Sequence, residues 1–139
     1  EGLVVHRLAE QTISLFGAPA FSALTGSPRE VLSRHPVILP TGANGIRAEF
    51  DSLCRRLDVE PTIVAEVDDM AMLRLMAREA LGLAPLPPIV VRDELEAGTL
   101  LQILPLPSIS ETFFALTVER EFPNRVVDEL IRAASNGGR

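Results

Sequence analysis

Apolar residues recur along this chain in two rhythms. Short runs at Thr12–Phe16, Val37–Leu39, Thr62–Ala65 and Leu83–Leu86 are bounded by glycine, proline or acidic pairs, and predict strands. Between the second and third run, Ile46, Phe50, Leu53 and Leu57 fall at i, i+4, i+7 and i+11, predicting a helix from about Asn44 to Leu57. A further helix opens at Asp68-Asp69 and carries Met70, Leu73, Met76, Ala77 and Ala80 on one side, with Gly82 expected to close it. Ser27-Pro28 is a helix start, a capping hydroxyl followed by a ring already set for the first turn, and that helix must stop before Pro36. Downstream the pattern predicts a short helix Arg92–Ala97, a turn at Gly98, a strand Leu100–Leu104 and a proline-rich linker Pro105–Pro107. A stronger strand Thr112–Val118 and a final helix Asn124–Ala134 follow, the latter with Val126, Val127, Leu130, Ile131 and Ala134 on its apolar face.

The order strand, helix, strand, helix, strand with short connections is a βαβαβ unit on a parallel sheet. In such sheets ligands bind beyond the carboxyl ends of the strands. Here those ends are Pro40-Thr41-Gly42-Ala43-Asn44, Glu66-Val67-Asp68 and Leu86-Pro87-Pro88. Thr41 offers a hydroxyl, Gly42 and Gly45 permit close backbone approach, and amides at the following helix start would face a ligand's negative end, with Arg47 near them. Thr41 or Asn44 could equally serve only as a helix cap, and Asp68 and Asp69 are ordinary capping residues that could also join Glu66 to hold a cation or a hydroxylated ligand.

Composition narrows the chemistry. The 139 residues fit one domain, and 13 basic against 19 acidic residues give a net charge of −6, a poor match to a phosphate backbone. All of the basic residues are arginine. Apolar runs are broken by Arg, Asp, Glu or Pro well before the roughly 18 residues that a membrane span needs. The single cysteine, Cys54, can form neither an internal disulfide nor a thiolate zinc site, and His6 and His35 alone cannot build a His-rich metal centre. The chain shows no nucleotide-binding glycine fingerprint, nucleophile elbow or Cys/His pair, so no catalytic residue, metal ligand or cofactor is assigned. It begins at Glu1 in strand-like residues, Leu3-Val4-Val5, without a basic-then-apolar leader, which reads as a piece of a longer chain or the mature start of an exported one.

The stretch Met72–Leu101 (MLRLMAREALGLAPLPPIVVRDELEAGTLL) resembles the second regulatory subdomain of LysR-type transcriptional regulators. That family shows a helix, a GxGxxxLP segment, a short helix and an ELxxGxL turn, and Gly82, Leu86, Pro87, Glu94-Leu95, Gly98 and Leu100 occupy those places. Thr12–Pro19 resembles the strand crossing between subdomains, Thr62–Asp69 the strand and turn before the patterned helix, and Phe114–Ile131 the return strand and last helix. The branch that regulates sodium/proton antiporters is the most similar, through Leu39-Pro40, Ile63–Asp69 and Pro85-Leu86-Pro87. One departure is the turn Glu79-Ala80-Leu81-Gly82, with a single glycine where the family usually has more.

The resemblance implies an α/β fold like type II periplasmic binding proteins. One complete Rossmann-like lobe, the βαβαβ parallel sheet, would be joined by remnants of the other. It implies residues 1–11 as a remnant of the first subdomain, 12–117 as the effector-binding second subdomain, and 118–139 as the return segment and last helix of the first. A small molecule or ion would sit between lobes and control DNA binding by a winged helix-turn-helix that these residues do not include. Carried over, the effector-binding residues are Thr41, Gly42, Asn44, Glu66, Asp68, Leu86 and Pro87, and the hinge is Phe16, Gly17 and Ala18. A cytoplasmic homo-oligomer without cofactor or membrane contact is expected, the last helix packing on another copy or fraying. Two rival readings stay open: an exported type II solute-binding protein of the same architecture, and an α/β enzyme fragment using Glu66, Asp68 and Asp69 as an acid/base or metal cluster.

Overall fold

A computed structural model describes residues 3–22, 26–42, 45–118 and 132–133. The strands are β1 (Leu3–Gly17), β2 (Pro36–Pro40), β3 (Thr62–Val67), β4 (Ala84–Leu86) and β5 (Leu101–Val118). The helices are α1 (Pro28–Arg34), α2 (Gly45–Leu57), α3 (Met70–Arg78) and α4 (Arg92–Ala97). Backbone contacts divide the chain into two compact units, one made of Glu1–Gln11 with Glu111–Arg139 and the other of Thr12–Ser110.

In the unit Thr12–Ser110, β2 and β3 run parallel, with Pro36 opposite Thr62 and Pro40 opposite Val67. A parallel bridge joins Val37 to Leu83, made by Ile38 N–H donating to Leu83 O at 2.8 Å and Leu83 N–H to Pro36 O at 2.9 Å. The three strands of the βαβαβ unit therefore share one direction, as the sequence predicts. β1 lies antiparallel on the far side of β4, pairing Ser14 with Leu86 and Phe16 with Ala84, and β5 neighbours β1. β4-β1-β5 form one ladder and β2-β3 another, and the single Val37–Leu83 bridge joins the two into a mixed sheet.

Helices cover this sheet through the apolar stripes that the sequence spaces along them. α2 buries Ile46, Phe50 and Cys54, while Leu53 and Leu57 pack partly buried against the same cluster of Ile13, Leu15, Leu32, Val37, Leu39 and Leu83. α3 buries Leu73 and Ala77 on a second cluster with Phe16, Ile38, Ala84, Leu86 and Leu100. α1 starts as expected, Ser27 Oγ accepting from Glu30 N–H at 3.3 Å with Pro28 in the first turn.

Two local expectations are corrected. α3 ends at Arg78, and the left-handed residue after it is Ala80 (φ 61°), not Gly82. Gly82 is instead a packing position: a Cβ there would lie 2.9 Å from the Pro36 carbonyl oxygen. Pro105–Pro107 is not a linker, because β5 runs through both prolines without a break from Leu101 to Val118. Both rings are exposed and Leu106 between them is buried; among the described strands β5 is outermost, where a missing N–H costs no ladder bond. The predicted last helix lies outside the described residues, except that Arg132 and Ala133 are helical.

Candidate effector site

The carboxyl ends of β2 and β3 and Pro85 of β4 meet at one end of the sheet. Thr41 N–H donates to Val67 O at 3.0 Å, extending the β2–β3 ladder one residue past the strand and fixing the half-buried Thr41 beside Val67-Asp68. Pro40, Val67, Asp68, Asp69, Met70 and Pro85 line a hollow of about 20 Å³ at this spot, room for roughly one water. Asp68 is exposed on its rim. Asp69 is a cap, its Oδ1 accepting from Ala71 N–H at 2.9 Å at the start of α3. The two adjacent acids thus part company: one holds a helix end, and the other faces solvent beside the hollow.

Arg47, from the first turn of α2, ties the tips together. Its Nη1 donates to Pro40 O at 3.0 Å and to Glu66 Oε2 at 3.1 Å, and its Nε donates to both Asp51 oxygens at 3.0 and 3.1 Å. Only 13% of the side chain is exposed. Burial by itself opposes the charge on Arg47, but the hydrogen bonds it donates to Asp51 and then Glu66 outweigh it and hold the guanidinium pKa above its ordinary value.

The residues singled out from sequence divide accordingly. Thr41, Gly42, Glu66 and Asp68 lie at the tips, Glu66 being committed to Arg47. Leu86 is fully buried and packs in the core rather than lining the hollow, and Pro87 is buried. Asn44 lies outside the described residues. Phe16 and Ala18 are buried, and Gly17 sits where a Cβ would come within 2.7 Å of Leu83 Cδ2. Val67 belongs to the strand end that the sequence named; Pro85 was not anticipated as a lining residue, although it follows from strand alternation, since it is the neighbour of an inward Leu86.

Glu94, which the sequence placed only within the ELxxGxL turn, proves to be a buried acid. It is 6% exposed, its Oε1 lies 3.4 Å from Arg74 Nε, and its buried Oε2 has no hydrogen-bond partner among the described residues. Its carbonyl receives Thr99 N–H at 3.0 Å, closing α4 just before β5. Among the described residues no three His, Cys, Asp or Glu side chains group as metal ligands, and no helix is long and apolar enough to cross a membrane. A larger open depression of about 420 Å³ is lined by Ser27, Arg29, Glu30, Ser33, Asp58 and Glu60. It lies where α2 leads into β3, away from the strand tips.

The profile of the LysR substrate binding domain matches residues 1–138, nearly the entire chain. The chain belongs to this family. The effector domain of AmpR from Pseudomonas aeruginosa superposes with a TM-score of 0.72 at 17% identity, over 100% of this chain and 68% of that one. The regulatory domain of HypT from Salmonella typhimurium gives 0.69 at 17% identity, over 99% and 67%. Full-length LysG of Corynebacterium glutamicum, bound to the effector arginine, gives 0.61 at 17% identity, over 99% of this chain and 47% of that one. No curated protein sequence matches the chain. The LysR substrate-binding fold is the type II periplasmic-binding-protein-like arrangement, and this chain spans about two thirds of the isolated regulatory domains and under half of LysG.

Proposed function

We propose that this LysR substrate-binding domain senses a small-molecule or ion effector at the tips of β2, β3 and β4, and performs no catalysis. The effector would bind one conformation better than another, and that differential affinity would be passed to a DNA-binding winged helix-turn-helix outside these residues. Residues 12–117 would form the effector-binding subdomain, 1–11 and 118–139 parts of the first, with Phe16–Ala18 as the hinge. The protein would act in the cytoplasm as a homo-oligomer, and the finer affinity is with the sodium/proton antiporter regulators, supported by Ile63–Asp69 and Pro85–Pro87.

The observation that carries the reading is the meeting of Thr41 with Val67-Asp68 beside a hollow at the end of three parallel strands, where open α/β sheets take ligands, in a chain that matches a substrate-binding family along its length. Thr41 and Asp68 are the recognition side chains, aided by the backbone at Gly42, Asn44 and Pro87. The test is a screen of amino acids, organic acids and monovalent cations by amide chemical shifts on the chain. A true effector shifts Thr41, Val67 and Asp68, and Asp68→Asn weakens it about tenfold or more while leaving the melting temperature unchanged. Binding that maps elsewhere and ignores Asp68→Asn would refute the reading.

A further inference from the structure

Arg47 looks from sequence like the group that would receive an effector's carboxylate or phosphate, since it sits one turn into a helix that starts at the strand tips. Its contacts say otherwise. A guanidinium has five N–H donors in a fixed planar fork. Here one nitrogen faces both oxygens of Asp51, and a second is shared between Glu66 and the Pro40 carbonyl. Of the Arg47 side chain 13% is exposed, against 40% of Asp51 and 50% of Glu66, so the two carboxylates cancel the guanidinium charge by direct contact at a partly hydrated surface. A second positive feature of the tips, the amide end of α3, is already occupied by the Asp69 carboxylate.

Resting on the reading of the strand tips as the effector site, we propose that Arg47 sets its specificity by being withheld: locked by Asp51 and Glu66, it leaves tips that accept neutral or cationic groups and turn away anions. Among the described residues, the carboxylates of Asp51, Glu66, Asp68 and Asp69 share this end of the sheet with the bonded guanidinium of Arg47. An incoming carboxylate or phosphate would have to displace Glu66 from Arg47 and then lie beside Asp68. An ammonium, guanidinium or hydroxyl group would meet the exposed rim carboxylate of Asp68 and the Thr41 hydroxyl instead. Glu66 is the looser half of the lock, since half of its side chain is exposed.

The lock can be opened. In Glu66→Gln, and more fully in Asp51→Asn/Glu66→Gln, Arg47 keeps its bond to Pro40 O but loses its counter-charges, so the tips acquire an anion site. Inorganic phosphate is the probe, titrated against amide shifts of Thr41, Val67 and Asp68. Wild type shows no saturable shift at these amides. The double variant binds phosphate about tenfold more tightly or better, and adding Arg47→Met abolishes the gain. The charge-matched variant Asp58→Asn/Glu60→Gln, altered at the other end of the sheet, behaves as wild type. Saturable phosphate binding at the tips of wild type overturns the inference. So does a gain that survives Arg47→Met or appears equally in Asp58→Asn/Glu60→Gln, because the effect would then be net charge alone. The single Glu66→Gln variant decides the matter if the double variant melts early. Should the phosphate site open as described while the true effector maps elsewhere, the lock stands and the site reading fails.

Discussion

A methyl group at residue 82 would sit 2.9 Å from the carbonyl oxygen of Pro36 and 3.2 Å from Ile38 Cγ1. The oxygen belongs to the backbone that accepts the Leu83 amide, so it cannot move aside without breaking the β2–β4 bridge. Gly82→Ala is therefore expected to lower stability by roughly 1–3 kcal/mol, read from urea unfolding. At Gly98, φ is 76° and a Cβ would meet nothing within 4 Å, so alanine there should cost only the roughly 1–2 kcal/mol of left-handed strain. Cys54 makes a second test at this scale. Burial, helped by the Asp51 carboxylate, pushes its thiol from 9.0 up to about 11. The fold thus favours the neutral thiol, so this contribution is intact below pH 9 and is lost as pH rises through about 11. At pH 8 the native thiol should resist maleimide, and unfolding in urea should make it react at once. Cys54 falls inside the helix that the sequence predicts over Asn44–Leu57. The sequence could not reveal Gly82, whose role depends on a strand far off in the chain, or Glu94, whose burial depends on α3 packing against α4.

At the scale of elements, most boundaries were readable because the physical causes are local. Ser27-Pro28 starts α1 where a hydroxyl and a fixed φ make a start favourable, and the period of Ile46 and Phe50 defines α2. The unreadable parts were those decided by neighbours. Pro105 and Pro107 look like breakers until β5 proves to be the outermost described strand, and the left-handed turn after α3 falls on Ala80 while Gly82 packs against the Pro36 carbonyl. Asp68 and Asp69 could not be told apart in the sequence, yet only Asp69 bonds the α3 amides. Asp69→Ala should cost about 1 kcal/mol in thermal or chemical unfolding. Asp68→Ala should stay within about 0.5 kcal/mol of wild type, as an exposed substitution away from caps and core does.

For the molecule as a whole, strand order matters more than strand content. β4 has only three residues, yet it is flanked by β2 on one side and β1 on the other, and Ala84 and Leu86 are fully buried. β3 has a strand on one side among those described, with Ile63 38% and Val64 50% exposed. Hydrogen exchange should separate the two. The amides of Ile38 and Leu83 should exchange only by global unfolding, while those of β3 open locally and faster. The strand direction of β2, β3 and β4 was legible from their short helical crossovers, and with it the end of the sheet where a ligand would sit. The antiparallel placement of β1 was not, because nothing in Thr12–Phe16 names the partner strand.

That pairing of Ser14 with Leu86 also governs timing. During synthesis the first strand leaves the ribosome well before its partner exists, a wait of roughly 4–14 s at ordinary elongation rates. Throughout that interval Ile13, Leu15 and Phe16, all fully enclosed in the finished fold, have no β4 to shelter them. The newborn chain is thus most in need of a chaperone before residue 86 emerges.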